Sequence, residues 1–129
     1  MKILGTEDVF AIHEAVININ ELQGLAGNKS LDAVVKRVEN RIYYGLIGDV
    51  FDLAASYAVV IAMGHAFNDA NKRTAYKTMV TCLRLNGIFP TFDTEDIGQR
   101  IIKVSQGLID ETELARYLRS MLGQARGQA

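Results

Sequence analysis

The stretch from Val50 to Met63 constrains the fold most, because only Asp52 and Ser56 interrupt a long apolar run. Such a run is too short and too often interrupted to cross a bilayer. A helix that is apolar on most of its faces must instead be buried all round. Asp49 is a good residue to cap its start. The sequence therefore predicts a central buried helix from about 50 to 64.

Five other segments repeat apolar residues at helical spacing, and none shows a convincing pair of alternating strands. The expected inward positions are Val9, Ile12, Val16 and Ile19 in the first segment; Leu31, Val34, Val35, Val38 and Ile42 in the second; Ala75, Tyr76, Met79, Val80 and Leu83 after the central helix; Ile97, Ile101, Val104 and Leu108; and Leu114, Tyr117, Leu118, Met121 and Leu122. The predicted fold is all-α, a compact bundle of about six helices in one domain over 1–129, with a flexible tail at about 123–129.

Composition excludes several classes of protein. The 14 Lys+Arg against 15 Asp+Glu leave a net charge of -1, which argues against direct binding of nucleic acid or an anionic membrane. The only cysteine, Cys82, cannot form an internal disulfide and is expected to be an inert core thiol. The first residues lack the apolar length of a signal peptide. We therefore expect a soluble cytoplasmic protein without membrane contact.

The polar loop after the central helix, 65–74, gathers an imidazole, a carboxylate, two amides and two cations. A helix that begins near Ala70 would leave the backbone N–H groups of its first turn free, and these groups attract anions. Lys72 and Arg73 fall in this first turn, where the helix dipole disfavours cations. A bound phosphate would resolve that conflict, with further donors from Asn71 and a two-point clamp from Arg73.

Two other residues of the loop have both a chemical and a structural interpretation. Asp69 could cap the helix, or it could bind Mg²⁺ together with substrate phosphates. His65 could accept a proton near neutral pH, or it could cap the central helix. Phe67 is expected to be a core anchor, and His13 to be a structural or surface residue. We favour the chemical interpretation because structural roles do not explain why these groups share one loop.

The loop resembles the signature of the Fic/Doc superfamily, His-Pro-Phe-x-Asp/Glu-Gly-Asn-Gly/Lys-Arg-x-x-Arg. The sequence has His-Ala-Phe-Asn-Asp-Ala-Asn-Lys-Arg-Thr-Ala-Tyr from His65 to Tyr76. Alanine replaces the proline at Ala66 and the glycine at Ala70, and Tyr76 replaces the final arginine. The match looks like the Doc (death on curing) branch, the toxins of toxin–antitoxin modules, over nearly the whole chain.

The resemblance implies a protein kinase that transfers the terminal phosphate of ATP to a threonine of translation elongation factor Tu and so arrests protein synthesis. His65 would be the general base and Asp69 the Mg²⁺ ligand. Phosphates would be held at Asn68, Ala70, Asn71, Lys72 and Arg73, the last two also acting in catalysis. A flap that aligns the target is expected at the Gly45–Gly48 connector.

Two alternatives follow from the same residues: a Fic-type AMP transferase with a degenerate signature, and a binding module that has lost turnover. The transferase needs the final arginine that Tyr76 replaces. Many Fic proteins also carry an inhibitory Ser/Thr-x-x-x-Glu-Gly/Asn helix, and this sequence has no such string. The resemblance therefore implies inhibition in trans by a Phd-like antitoxin, whose disordered tail folds onto the toxin.

Overall fold

A computed structural model describes the backbone of residues 1–128 and the side chains of residues 1–121. Within this part of the chain there are six helices and no named strand, which confirms the all-α prediction. They are α1 (Thr6–Val16), α2 (Leu31–Tyr43), α3 (Val50–Gly64), α4 (Asn71–Leu85), α5 (Thr94–Ser105) and α6 (Glu111–Gln128). The tail expected at about 123–129 lies outside the residues whose side chains are described.

Helix α3 is the centre of the bundle, as its apolar run predicts. It contacts α2, α4, α5 and α6, and its inner residues from Leu53 to Ala62 are almost all buried. Gly64 is required where α3 meets α2, because an added Cβ would lie 2.8 Å from a methyl of Val34. Asp49 caps the helix by accepting a hydrogen bond from the Asp52 amide at 2.9 Å. None of the described helices has the length and apolar character needed to cross a membrane.

Helix α1 is shorter than its apolar spacing predicts. It ends at Val16, and the backbone of Ile17 is extended, with φ -71° and ψ 139°. Ile19 was expected to face inward but is 99% exposed. The reason is tertiary, since the carbonyl oxygen of Val16 accepts a hydrogen bond from Arg73 Nη1 at 3.0 Å instead of continuing the helix.

The segment between α1 and α2, residues 17–30, lies against the loop after α3. The Ala26 amide donates to the Ala66 carbonyl at 2.8 Å, and the Asn68 amide donates to the Gly24 carbonyl at 3.0 Å. These bonds flank an antiparallel bridge between Leu25 and Phe67. We call residues 17–30 the covering segment.

The position expected for the flap, Gly45–Gly48, is wrong. This connector precedes α3, whereas His65 follows its last residue. A helix of 15 residues separates its two ends by about 22 Å at 1.5 Å per residue. Leu46 instead lines a cavity with Asp52 and Glu111. The covering segment is therefore the part of the chain that borders the signature loop.

Charged side chains at the start of α3 pair with one another. Arg119 of α6 donates to Asp49 at 2.7 Å and also pairs with Asp52. Arg41 of α2 pairs with Glu111 of α6 at 2.9 Å. These contacts join α2, α3 and α6 at one end of the bundle.

Candidate active site

The helix α4 starts next to Ala70, close to the predicted position, but Asp69 does not cap it. Ala70 is the N-cap residue, no side chain caps the helix, and its first turn contains no acidic residue. Among the described residues, the backbone N–H groups of Asn71, Lys72 and Arg73 have no hydrogen-bond partner. Three free donors and two cations at the positive end of a helix form a site for an anion.

Ala70 has a left-handed backbone, with φ 64° and ψ 28°, a conformation that costs a non-glycine residue about 1–2 kcal/mol. Three hydrogen bonds with side chains fix the two peptide groups around it. The Ala70 amide donates to Asp69 Oδ1 at 2.9 Å, and the Ala70 carbonyl accepts from Thr74 Oγ1 at 2.7 Å. His13 Nε2 donates to the Asp69 carbonyl at 2.9 Å. The surrounding structure therefore holds Ala70 in a left-handed conformation. Glycine, which the Fic/Doc signature has at this position, adopts that conformation freely.

His13 has a structural role, one of the two that the sequence predicts, and this role bears on the loop. Its side chain is fully buried, and its ring stacks on Phe67 with 3.7 Å between centroids and 3° between planes. The signal was its position on α1, four residues after the buried Val9. Because His13 contacts both Phe67 and the Asp69 carbonyl, it fixes the loop from α1.

The two asparagines of the loop hold its shape rather than pointing free amides at a ligand. Asn71 Nδ2 donates to the Phe67 carbonyl at 2.9 Å, and Asn71 Oδ1 accepts from the Phe67 amide at 3.2 Å. Asn68 Nδ2 donates to the carbonyls of Gln23 and Leu25. Both side chains thus form hydrogen bonds to backbone groups. Asn71 would therefore contribute to an anion site through its backbone N–H.

Arg73 lies between the anion site and the covering segment. Its guanidinium forms an ion pair with Glu21 and donates to the Val16 carbonyl. The hydrogen bond from Arg73 lowers the pKa of Glu21, and the same bond raises the pKa of Arg73. Lys72 is exposed and forms no ion pair with any described residue. Of the two cations, one is paired and the other is open to a ligand.

One cavity of about 230 Å³ brings the predicted site residues together. His65 faces it from the end of α3, exposed and in a left-handed conformation with φ 49°. The cavity is lined by Ala62, His65, Asn68, Asp69, Ala70, Asn71, Lys72 and Arg73. An imidazole, a carboxylate and an uncapped helix end therefore border the same space.

The cavity suits a metal ion only if a ligand supplies part of its coordination. Within the described residues, no three His, Cys, Asp or Glu side chains are grouped as a metal site. Asp69 Oδ1 accepts a hydrogen bond from the Ala70 amide, and Asp69 Oδ2 has no hydrogen-bond partner among the described residues. One free carboxylate oxygen fits Mg²⁺, which commonly binds one or two carboxylates together with substrate phosphates.

The chain is similar to known proteins over most of its length. A sequence model described as the Fic/DOC family matches residues 3–83. A relative named Protein kinase doc, from Escherichia phage P1, is 36% identical over 128 residues, covering 97% of this chain and 99% of the relative. The matched residues include α1, the covering segment and the signature loop.

Proposed function

The chain belongs to the Fic/DOC family, and from that premise we propose that it is a toxin kinase that phosphorylates a protein hydroxyl. The proposed donor is ATP with Mg²⁺, and the proposed target is a threonine of elongation factor Tu, whose modification arrests translation. The observation that carries the proposal is the cavity in which His65 and Asp69 border the uncapped start of α4. The relative that is named a protein kinase supports the type of reaction.

His65 acts as the general base in this proposal. It is exposed at the mouth of the cavity, so a target hydroxyl can reach its imidazole and lose its proton there. The hydroxyl oxygen then forms a bond to the terminal phosphorus of ATP, the bond from that phosphorus to the bridging oxygen breaks, and ADP leaves. Such a reaction depends mainly on positioning and on stabilising charge.

The phosphates are bound by the first turn of α4. The N–H groups of residues 71–73 and the side chains of Lys72 and Arg73 supply donors and positive charge. Asp69 would hold Mg²⁺ through Oδ2, and the ion would neutralise charge on the phosphates. Asn68, Ala70 and Asn71 act through the backbone shape that they impose. Their expected contact with phosphate is thus proposed for the backbone and not for the two amide side chains.

The covering segment takes the role that the resemblance gives to a flap. It already pairs with the signature loop through backbone hydrogen bonds at Gly24 and Ala26, and its Glu21 pairs with Arg73, which lines the cavity. An extended target segment could add to it by further backbone pairing. We therefore propose that the target hydroxyl is aligned at His65 by residues 17–30.

Control of the toxin is proposed to come from a separate, Phd-like antitoxin that binds in the cytoplasm. The sequence has no inhibitory Ser/Thr-x-x-x-Glu-Gly/Asn string. An antitoxin with a disordered tail that folds as a helix on the toxin would supply the missing inhibition.

The test is to incubate the purified protein with elongation factor Tu, Mg²⁺ and ATP and to weigh the intact target by mass spectrometry. One added phosphate, absent with His65→Asn, is the expected result. One added AMP would replace the proposal by AMP transfer despite Tyr76. No mass change, under conditions where ATP binds, would contradict this choice of target or activity.

A further inference from the structure

Two exposed apolar side chains lie near His65, outside the cavity that it lines. Met63 is the second-last residue of α3 and is 46% exposed, although the inner residues of this helix are almost all buried. Leu108 follows α5 and is 67% exposed. A Cβ built on Gly107 would lie 3.8 Å from Met63 Cε, so Met63 packs over the residue that precedes Leu108. We call Met63, Gly107 and Leu108 the apolar patch.

The backbone that carries Leu108 is fixed by a turn at the end of α5. The Gly107 amide donates to the Val104 carbonyl at 3.0 Å, and the Leu108 amide donates to the Lys103 carbonyl at 2.9 Å. With Gly107 at φ 75°, these are the two hydrogen bonds of a Schellman motif. Leu108 is thus held in one place at the surface, and a partner that covers it orders little additional backbone on binding.

A single exposed apolar residue needs no explanation, because much of any protein surface is apolar. The apolar patch differs from such a residue in two respects. Its two large side chains are neighbours, and they stand on a helix end and on a hydrogen-bonded turn. Adjoining exposed apolar side chains on rigid supports favour contact with another protein.

The position of the apolar patch decides which protein covers it. Consecutive Cα atoms are about 3.8 Å apart, so the Cα atoms of Met63 and His65 are separated by no more than about 7–8 Å. A stable interface covers about 800 Å² of each partner, which corresponds to a disc with a radius of about 16 Å. An interface of this size around His65 therefore includes Met63.

We propose that the apolar patch docks an apolar surface of the target protein and so holds the target hydroxyl at His65. This inference rests on the proposed function and adds a contact that selects the target. Backbone pairing with the covering segment carries little preference for particular side chains. Met63 and Leu108 add such a preference, because a charged group of the target that faced them would lose water and find no opposite charge in the patch.

The test replaces the two large side chains of the patch by glutamine in the full-length protein. Glutamine changes the polarity with little change in size and none in charge. Steady-state phosphorylation of elongation factor Tu gives kcat and the KM values for the target and for ATP. We expect Met63→Gln and Leu108→Gln each to raise KM for the target about fivefold. Both kcat at saturating target and KM for ATP should stay within about twofold of the parent.

Conservative and distant substitutions are the controls. Met63→Leu and Leu108→Met keep an apolar side chain of similar size, so they should retain the parental KM for the target. Phe89→Gln replaces an apolar side chain that is 74% exposed and lies beyond the end of α4 that is remote from the site, so it should also retain that KM. All five variants change exposed side chains, and their midpoints of thermal unfolding should match that of the parent.

Parental KM values for both glutamine variants would leave the patch to another occupant, such as a second copy of the chain or an antitoxin, and would overturn the inference. A fall in kcat alone, or equal rises in KM for the target and for ATP, would also overturn it, because the patch would then act on the signature loop. If the parent is active and the variants match it, only the docking contact is contradicted. A parent that phosphorylates no target contradicts the proposed function, and the inference falls with it.

Discussion

The two ends of α3 are both rich in charged residues, but they use charge differently. At its start, Arg119 binds Asp49 and Asp52, and Arg41 binds Glu111, so the charges satisfy one another. At its other end lie an exposed His65 and an exposed Lys72 without an ion pair among the described residues. Mutual pairing is what charges need for stability, whereas unpaired groups around an uncapped helix end are open to a ligand.

The difference extends to the backbone. Helix α3 starts with an ordinary cap, in which Asp49 accepts from the Asp52 amide. It ends at His65 in a left-handed conformation, and a second left-handed residue, Ala70, follows before α4. Non-glycine residues in this conformation cost free energy and cluster at functional sites. The contrast supports the proposal that one end of the helix stabilises the fold and that the other carries the site.

The difference between the two ends of α3 would not hold if His65 contributed only to stability. We expect His65→Asn to reduce phosphate transfer by a factor of about 100 or more, because removal of a general base has effects of that size. Asparagine tolerates the left-handed backbone, so ATP affinity and the midpoint of thermal unfolding should stay within error of the parent. Single-turnover kinetics and thermal melts measure both. A variant that transfers phosphate at the parental rate would remove His65 from the mechanism.

His13→Ala tests whether the loop is positioned from α1. It removes the stacking on Phe67 and leaves the Asp69 carbonyl without its donor, so we expect a loss of about 2–4 kcal/mol in the free energy of unfolding. We also expect kcat to fall about tenfold at temperatures where the variant is folded. Adding Ala70→Gly should restore part of kcat, since glycine adopts the left-handed backbone without that donor.

Val9→Ala is the matched control for His13→Ala. Val9 is a buried residue of the same helix, so its truncation lowers stability without touching the signature loop. Similar losses of kcat for Val9→Ala and His13→Ala would show that His13 acts through stability alone.

Substitutions of the two partners of the Arg73–Glu21 ion pair should change ATP affinity in opposite directions. Arg73→Ala should weaken ATP binding about tenfold, because hydrogen bonds to charged groups contribute roughly 1.5–3 kcal/mol. Glu21→Gln removes the carboxylate that competes with phosphate for Arg73, so we expect ATP affinity to rise two- to fivefold. Titration calorimetry at low salt measures both. Weaker binding by both variants would mean that Glu21 positions Arg73 for the phosphate instead of competing with it.

Arg119→Ala changes the charged groups at the start of α3 and should have the smallest effect on stability and activity. Both of its ion pairs are partly exposed, so we expect a loss of no more than about 1 kcal/mol in the free energy of unfolding and unchanged phosphate transfer. Arg119 holds the pKa of Asp49 below its usual range. The contribution is thus present at neutral pH and is lost as the pH falls through the lowered pKa of Asp49.

Chemical denaturation at pH 7 and pH 3 checks the second part of this prediction. The difference in stability between the parent and Arg119→Ala should shrink at the lower pH. A variant that loses transfer activity at pH 7 would contradict the division of roles between the two ends of α3.

The helices could be predicted from sequence because their signals are local. The apolar run of α3 and its cap at Asp49 each act within a few residues, and the structure starts the helix directly after Asp49. The end of α1 was mispredicted because its cause is distant. Its last carbonyl binds Arg73, which lies 57 positions along the chain.

The site was predicted as a set of residues but not as an arrangement. The signature places His65, Asp69 and the two cations in sequence, and the cavity brings them together. Sequence reasoning treated Asn71 as a phosphate donor, whereas its amide closes the loop on Phe67. It also missed Glu21 as the partner of Arg73. Side-chain partners of this kind depend on long-range packing, for which spacing along the chain carries no signal.

The central position of α3 has a consequence for amide hydrogen exchange. Because α2, α4, α5 and α6 all contact this helix, its amide protons should exchange with solvent only when the whole molecule unfolds. The covering segment is tied to the loop by few backbone bonds, so its amides should exchange through local opening. Exchange at residues 17–30 would then report binding in the cavity at equilibrium, while α3 provides the internal reference for global stability.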